Sequence, residues 1–181
     1  MLKNQTNIKE FMTMAGQNVP NSLTTADEAT RRLRIKLILE ELVELAEASG
    51  FVIAVEKDHV SDICAIINKD LSNVYIESNG KEANIVEMAD AITDIDYVNT
   101  GAAVAYGMDL EPLHDEVHRS NMSKLWTEEE VNALSQSSEK NDYTIKLLKP
   151  ESDRKYGVFQ NGKLKKSPSY SKANLEKVLK L

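Results

Sequence analysis

The chain has 181 residues, of which 41% are apolar, enough for one domain with a real core plus an appendage. A formal net charge of −7 disfavours long-range attraction to nucleic acid or to anionic membranes, and the basic residues cluster only near the C-terminus, in Lys163, Lys165 and Lys166. The single cysteine, Cys64, excludes an intramolecular disulfide and a cysteine-based zinc site, while the lack of an apolar signal-peptide core, or of a run near the roughly 20 apolar residues that span a bilayer, points to the cytoplasm.

From about Asn7 to Gly16 the spacing of Ile8, Phe11 and Met12 predicts a short helix closed by a glycine. A loop follows around Pro20 and Asn21. Thr25 with Glu28 has the form of a capping box, and the segment RRLRIKLILEELVELAEAS behind it contains strong helix formers with no glycine or proline, so a long helix is expected up to Gly50. Between Phe51 and Glu82 the apolar runs FVIAV and ICAII are too short to fix a period. Cys64, set among Ile63, Ala65 and Ile66, reads as a packed thiol. NVYIESNGKE predicts a strand entering a turn at Asn79-Gly80, and therefore a hairpin between the helices. A second long helix is expected from near Ala83 to Gly107, and a third from Leu110 to Lys124 with Pro112 in its first turn. From about Tyr143 the stretches YTIKLL and YGVFQNGKLKKS alternate, the second around an Asn161-Gly162 hairpin turn, and ANLEKVLKL predicts a last short helix.

The residues that carry chemistry are acidic. Glu41 and Glu44, at i and i+3, share one helix face with roughly 5–6 Å between their β-carbons, and Glu40 flanks them. On the next long helix Glu87, Asp90 and Asp94 form a second stripe at i, i+3 and i+7. Helical carboxylates are most often simply solvated. Against that, Leu33 and Leu37 share the face of Glu41 and Glu44, while Ile38, Leu42 and Leu45 flank it. Such a helix, apolar nearly all round, is expected to be buried, where an ionised carboxylate needs a partner or a metal. The second stripe lies opposite Ile85, Met88, Ala89 and Ile92, and taken alone looks solvent-facing. If the helices pack, carboxylates from both can reach a common point, and all-oxygen donors without cysteine or paired-histidine spacing indicate magnesium or manganese. Magnesium bound by a few carboxylates suits triphosphate chemistry, and that leaves Glu40 free to orient or deprotonate a water.

EELVE (Glu40 to Glu44) and EMAD (Glu87 to Asp90), together with Arg34, the run ADAITDIDYVNTGAAVAYGMD, and EVHRSNMSKLW, resemble the EExxE and ExxD signatures of the all-α nucleotide pyrophosphohydrolases of the MazG and phosphoribosyl-ATP pyrophosphohydrolase group. The resemblance covers roughly Ile8 to Trp126 and continues weakly into NGKLKKSPSY. It implies an all-α, mainly helical bundle of the MazG-like type that dimerises or forms a dimer of dimers. It further implies Glu41, Glu44, Glu87 and Asp90 as magnesium ligands, Glu40 as the group assisting the attacking water, and cleavage between the α and β phosphates of a nucleoside triphosphate. Asn121 and Lys124 offer an amide and an ammonium to triphosphate oxygens. Arg34, Asp94 and Arg119 are further substrate-binding candidates, each basic residue reading equally well as half of a surface ion pair. His114 and His118, one turn apart, read as surface residues.

The interval from Glu44 to Glu87 is longer than is usual between the two motifs. The expected organisation is therefore a helical core over 1–140, with an insertion at about 51–82 and small β-hairpins there and in the tail, and an extension over 141–181 packed on that core. Two other readings stay open: a phosphoribosyl-ATP pyrophosphohydrolase of histidine synthesis, and a non-catalytic helical dimer that serves as an interaction module. No nucleic-acid or membrane partner is expected.

Overall fold

The computed structural model describes residues 2–55, 74–137, 143–148 and 150–181. Among them the chain is mainly helical, with six helices and six short strands, and it divides into two compact units, Met1–Met108 and Asp109–Leu181. Cys64 and the ICAII run lie outside the described residues, so the packed-thiol reading does too.

The first unit is built on α1 (Lys3–Met14), α2 (Glu28–Ala48) and α3 (Ile85–Ala105), with β1 (Phe51–Val55) and β2 (Val74–Ser78) between the last two. Asp27, not Thr25, caps α2: its carboxylate accepts from the Thr30 amide at 2.7 Å. Asn84 caps α3, accepting from the amides of Val86 and Glu87. α3 stops at Gly107, which takes φ +66° while the Met108 amide reaches back to the Ala103 carbonyl at 2.9 Å. α2 and α3 run antiparallel. At one end the Asn84 amide donates to the Ala48 carbonyl at 2.8 Å, and at the other a Cβ on Gly101 would lie 3.3 Å from Arg34 Nη1. The missing side chain of Gly101 also admits α1, since Ile8 and Met12 lie just beyond the same point. Those two residues, 2% exposed each, form the core of the unit with Val104 and Ala105.

Two expectations for this unit need correction. An antiparallel strand pair does stand between the helices as expected, β2 lying against β1 from Phe51 opposite Ser78 to Val55 opposite Val74, but Asn79-Gly80 is not the turn that joins them; it leads into α3. Nor is α2 buried all round, because only Arg34 and Ala48 are buried along its length. Leu33, Ile35, Leu39, Leu42 and Val43 stay between 44% and 61% exposed, since within one chain it is chiefly α3 that covers α2, along only part of its circumference.

The second unit begins with α4 (Leu110–Met122) and continues through β3 (Trp126–Thr127), α5 (Glu128–Ser135), β4 (Thr144–Leu147), β5 (Arg154–Gln160), β6 (Lys163–Leu164) and α6 (Leu175–Leu179). β5 is central, flanked antiparallel by β3 and β4 and continued into β6 through Asn161 and Gly162, both at positive φ as a two-residue hairpin turn requires. α5 was not foreseen. Thr127 and Glu130 close a capping box at its start, with the Thr127 amide donating to Glu130 at 3.0 Å. Trp126, Val131, Leu134 and the fully buried Val158 make the core between helix and sheet.

Candidate active site

Antiparallel packing brings the two acidic stripes of the first unit within range of each other. Glu41 is half-buried on α2. Its carboxyl is pushed above the ordinary range, first by loss of solvent and then by the fields of Glu44, Asp94, Glu40 and Asp90. Ionising Glu41 is thus opposed by anions from both helices. Glu40 is exposed and carries an ion pair with Lys36 one turn earlier, at 3.2 Å. Glu44, Glu87 and Asp90 are exposed and Asp94 is half-buried. Glu87 occupies the first turn of α3, where the partial positive charge of the helix start favours a carboxylate.

The stripes do not close into a cage. Among the described residues, no group of three or more histidine, cysteine, aspartate or glutamate side chains stands close enough to hold one metal ion. The arrangement is one of facing anions with a half-buried member at the focus, rather than the buried carboxylates that an all-round apolar α2 implied.

Arg34 lies seven residues before Glu41 and is 6% exposed. Its Nη2 donates to Gln17 Oε1 at 2.6 Å and lies 3.8 Å from Met12 Sδ, and its buried Nε has no hydrogen-bond partner. Burial works against the charged form and Tyr106 partly offsets this. In this chain the guanidinium is tied to α1 and to the loop after it. Gln17 was not foreseen as its partner, because no local pattern marks a loop glutamine that meets a helix 17 residues later.

The remaining candidates belong to the second unit. Arg119 gives Nε and Nη2 to the two carboxylate oxygens of Glu116, both at 2.8 Å, and Nη2 also donates to the Lys172 carbonyl at 3.1 Å. That is the ion-pair alternative, with the added work of holding the C-terminal segment on α4. Lys124 Nζ donates to Asn121 Oδ1 at 2.7 Å, so the expected amide and ammonium are adjacent. His114 and His118 are exposed, as expected.

The model of the phosphoribosyl-ATP pyrophosphohydrolase family matches residues 8–121, more than half of the chain, and this span includes EELVE and EMAD. No curated protein matches the chain.

Proposed function

The chain belongs to the phosphoribosyl-ATP pyrophosphohydrolase family, a group of nucleotide pyrophosphohydrolases acting on phosphoanhydride bonds, and from that premise we propose that it hydrolyses nucleoside triphosphates between the α and β phosphates in a magnesium-dependent reaction. The observation that carries the reading is the raised carboxyl of Glu41, opposed by four carboxylates of α2 and α3. Such a site is relieved by a divalent cation, and its donors are all hard oxygens.

Glu41, Glu44, Glu87 and Asp90 would hold magnesium, with manganese as the alternative. When bound, the ion supplies charge neutralisation at the phosphates and a lowered pKa for water. Glu40 orients the attacking water and accepts its proton. The water oxygen bonds to the α-phosphorus as the bond from that phosphorus to the bridging oxygen breaks. Nucleoside monophosphate and pyrophosphate leave. Asp94, Asn121 and Lys124 keep their expected substrate-binding roles in this proposal, while Arg34, held by Gln17, and Arg119, held by Glu116, have donors taken up within the chain. The setting is the cytoplasm; among the described residues no helix is long and apolar enough to cross a membrane.

Phosphoribosyl-ATP is the second reading for the substrate, and the family match supports both equally. The active form in this proposal is a homodimer or a dimer of dimers, supported by the apolar side chains that α2 leaves uncovered.

In the Glu41→Gln variant pyrophosphate release should fall by at least ~100-fold with an unchanged circular dichroism spectrum, since loss of a ligand should cost no less than loss of an outer-shell partner. A panel of ribo- and deoxynucleoside triphosphates and phosphoribosyl-ATP, with and without magnesium, separates the substrates. Retained activity in the glutamine variant would reject the carboxylate site.

A further inference from the structure

The second unit carries a group of cations that its ion pairs do not absorb. Lys155 lies 2.7 Å from Glu128, Arg119 pairs with Glu116 at 2.8 Å, and Arg154 stands 4.0 Å from Glu130. No carboxylate pairs with Lys124, Lys166 or Lys172 among the described residues.

Hydrogen bonds staple the segment that carries Lys166, Tyr170 and Lys172 onto the end of α4, next to Lys124. The Ser171 amide donates to Ser123 Oγ at 3.0 Å, the Ser167 amide to the Lys124 carbonyl at 3.1 Å, and the Tyr170 amide to the Ser167 carbonyl at 3.0 Å. The Lys172 carbonyl is the one held by Arg119. On this frame Lys166 Nζ sits 4.4 Å from the centre of the Tyr170 ring. The pKa of the Tyr170 hydroxyl is held below the ordinary tyrosine range, by Ser120 first and with further help from Lys166, Lys124 and Lys172. Three ammonium groups therefore act on one oxygen atom, beside the Asn121 amide that Lys124 already touches. Like charges collected without counter-ions are unfavourable, and the natural relief is an anion with several charged oxygens.

We propose that Lys124, Lys166 and Lys172, gathered around Tyr170 where the C-terminal segment docks on α4, form a binding site for a polyphosphate chain, whether the triphosphate of the substrate or released pyrophosphate. The identity of the donor molecule rests on the nucleotide reading above; the binding chemistry does not. Lys166, Lys172 and Tyr170 all lie beyond the matched family span.

The test is calorimetric titration of the full chain with inorganic tripolyphosphate, and separately with pyrophosphate, in magnesium-free buffer. The triple variant Lys124→Gln, Lys166→Gln, Lys172→Gln should weaken binding by about tenfold or more, as expected for losing several charge-assisted contacts. A control triple variant, Lys146→Gln, Lys163→Gln, Lys180→Gln, removes the same net charge elsewhere in the unit and should bind as the native chain does. Equal affinity in all three proteins, or an equal loss in both variants, overturns the proposal. Steady-state kinetics then separates the sources. In the double variant Lys166→Gln, Lys172→Gln, a raised KM at retained kcat assigns the site to substrate, while weaker inhibition by pyrophosphate at unchanged KM assigns it to product. A native chain that hydrolyses no nucleotide would sink the nucleotide reading and leave the calorimetric result to decide the polyphosphate site.

Discussion

The Glu116 carboxylate accepts from Arg119 and from the Asn174 amide at 2.7 Å, and those bonds hold its carboxyl at about 2 instead of the usual 4.5. A carboxyl lowered on folding stabilises the native chain above its unfolded value, and that contribution disappears as pH falls toward the folded value. The urea midpoint of native protein should therefore exceed that of Glu116→Gln by a constant margin above pH 4.5, and the margin should close as pH approaches 2. A margin that does not change across this window would mean the bonds contribute nothing. At this scale the sequence was informative about which residues carry charge and much less so about whom they meet. The spacing of Glu41, Glu44, Asp90 and Asp94 marked two stripes, and the field on Glu41 joins them. The burial of Arg34 depends on Gln17 and on the gap left by Gly101, neither of which belongs to its own helix.

Among elements, the ones recognisable in advance have their signals written locally. α2 and α3 are long runs of helix formers ended by capping residues, and the β5–β6 turn is an Asn-Gly pair that accepts positive φ at both positions. The β1–β2 pairing is not local: its two strands are separated by 18 residues that lie outside the description, and an apolar run of five residues does not announce its partner. α5 did carry a local signal, the Thr127-to-Glu130 box, in a helix of only eight residues. Gly107 is the most exacting of the helix ends. A Cβ there would lie 2.1 Å from the Ser22 carbonyl oxygen, on a backbone already at φ +66°. Gly107→Ala should cost at least ~2 kcal/mol of stability in chemical denaturation, combining left-handed strain with a clash against backbone. An unperturbed midpoint would show that the loop around Ser22 gives way freely.

For the molecule as a whole, the uncovered apolar residues of α2 are what a single chain cannot explain. Ile35 is 61% exposed and Leu39 46%, on a helix the sequence marks as apolar nearly all round. Its pattern described the assembled environment that we propose, while one chain describes only part of it. Sedimentation equilibrium should return a multiple of the 20.3 kDa chain mass for native protein and the chain mass itself for Leu39→Glu. A native chain that sediments as a monomer would remove the dimer from the proposal. The sole tryptophan, Trp126, is 3% exposed, with its indole nitrogen donating to the Lys165 carbonyl at 3.0 Å, and it belongs to the second unit. Indole emission is therefore a private channel to that unit, whereas the far-ultraviolet helix signal weighs α2 and α3 heavily; two melting curves recorded on one sample report separately on the halves of the chain and reveal whether they unfold in one step or in two.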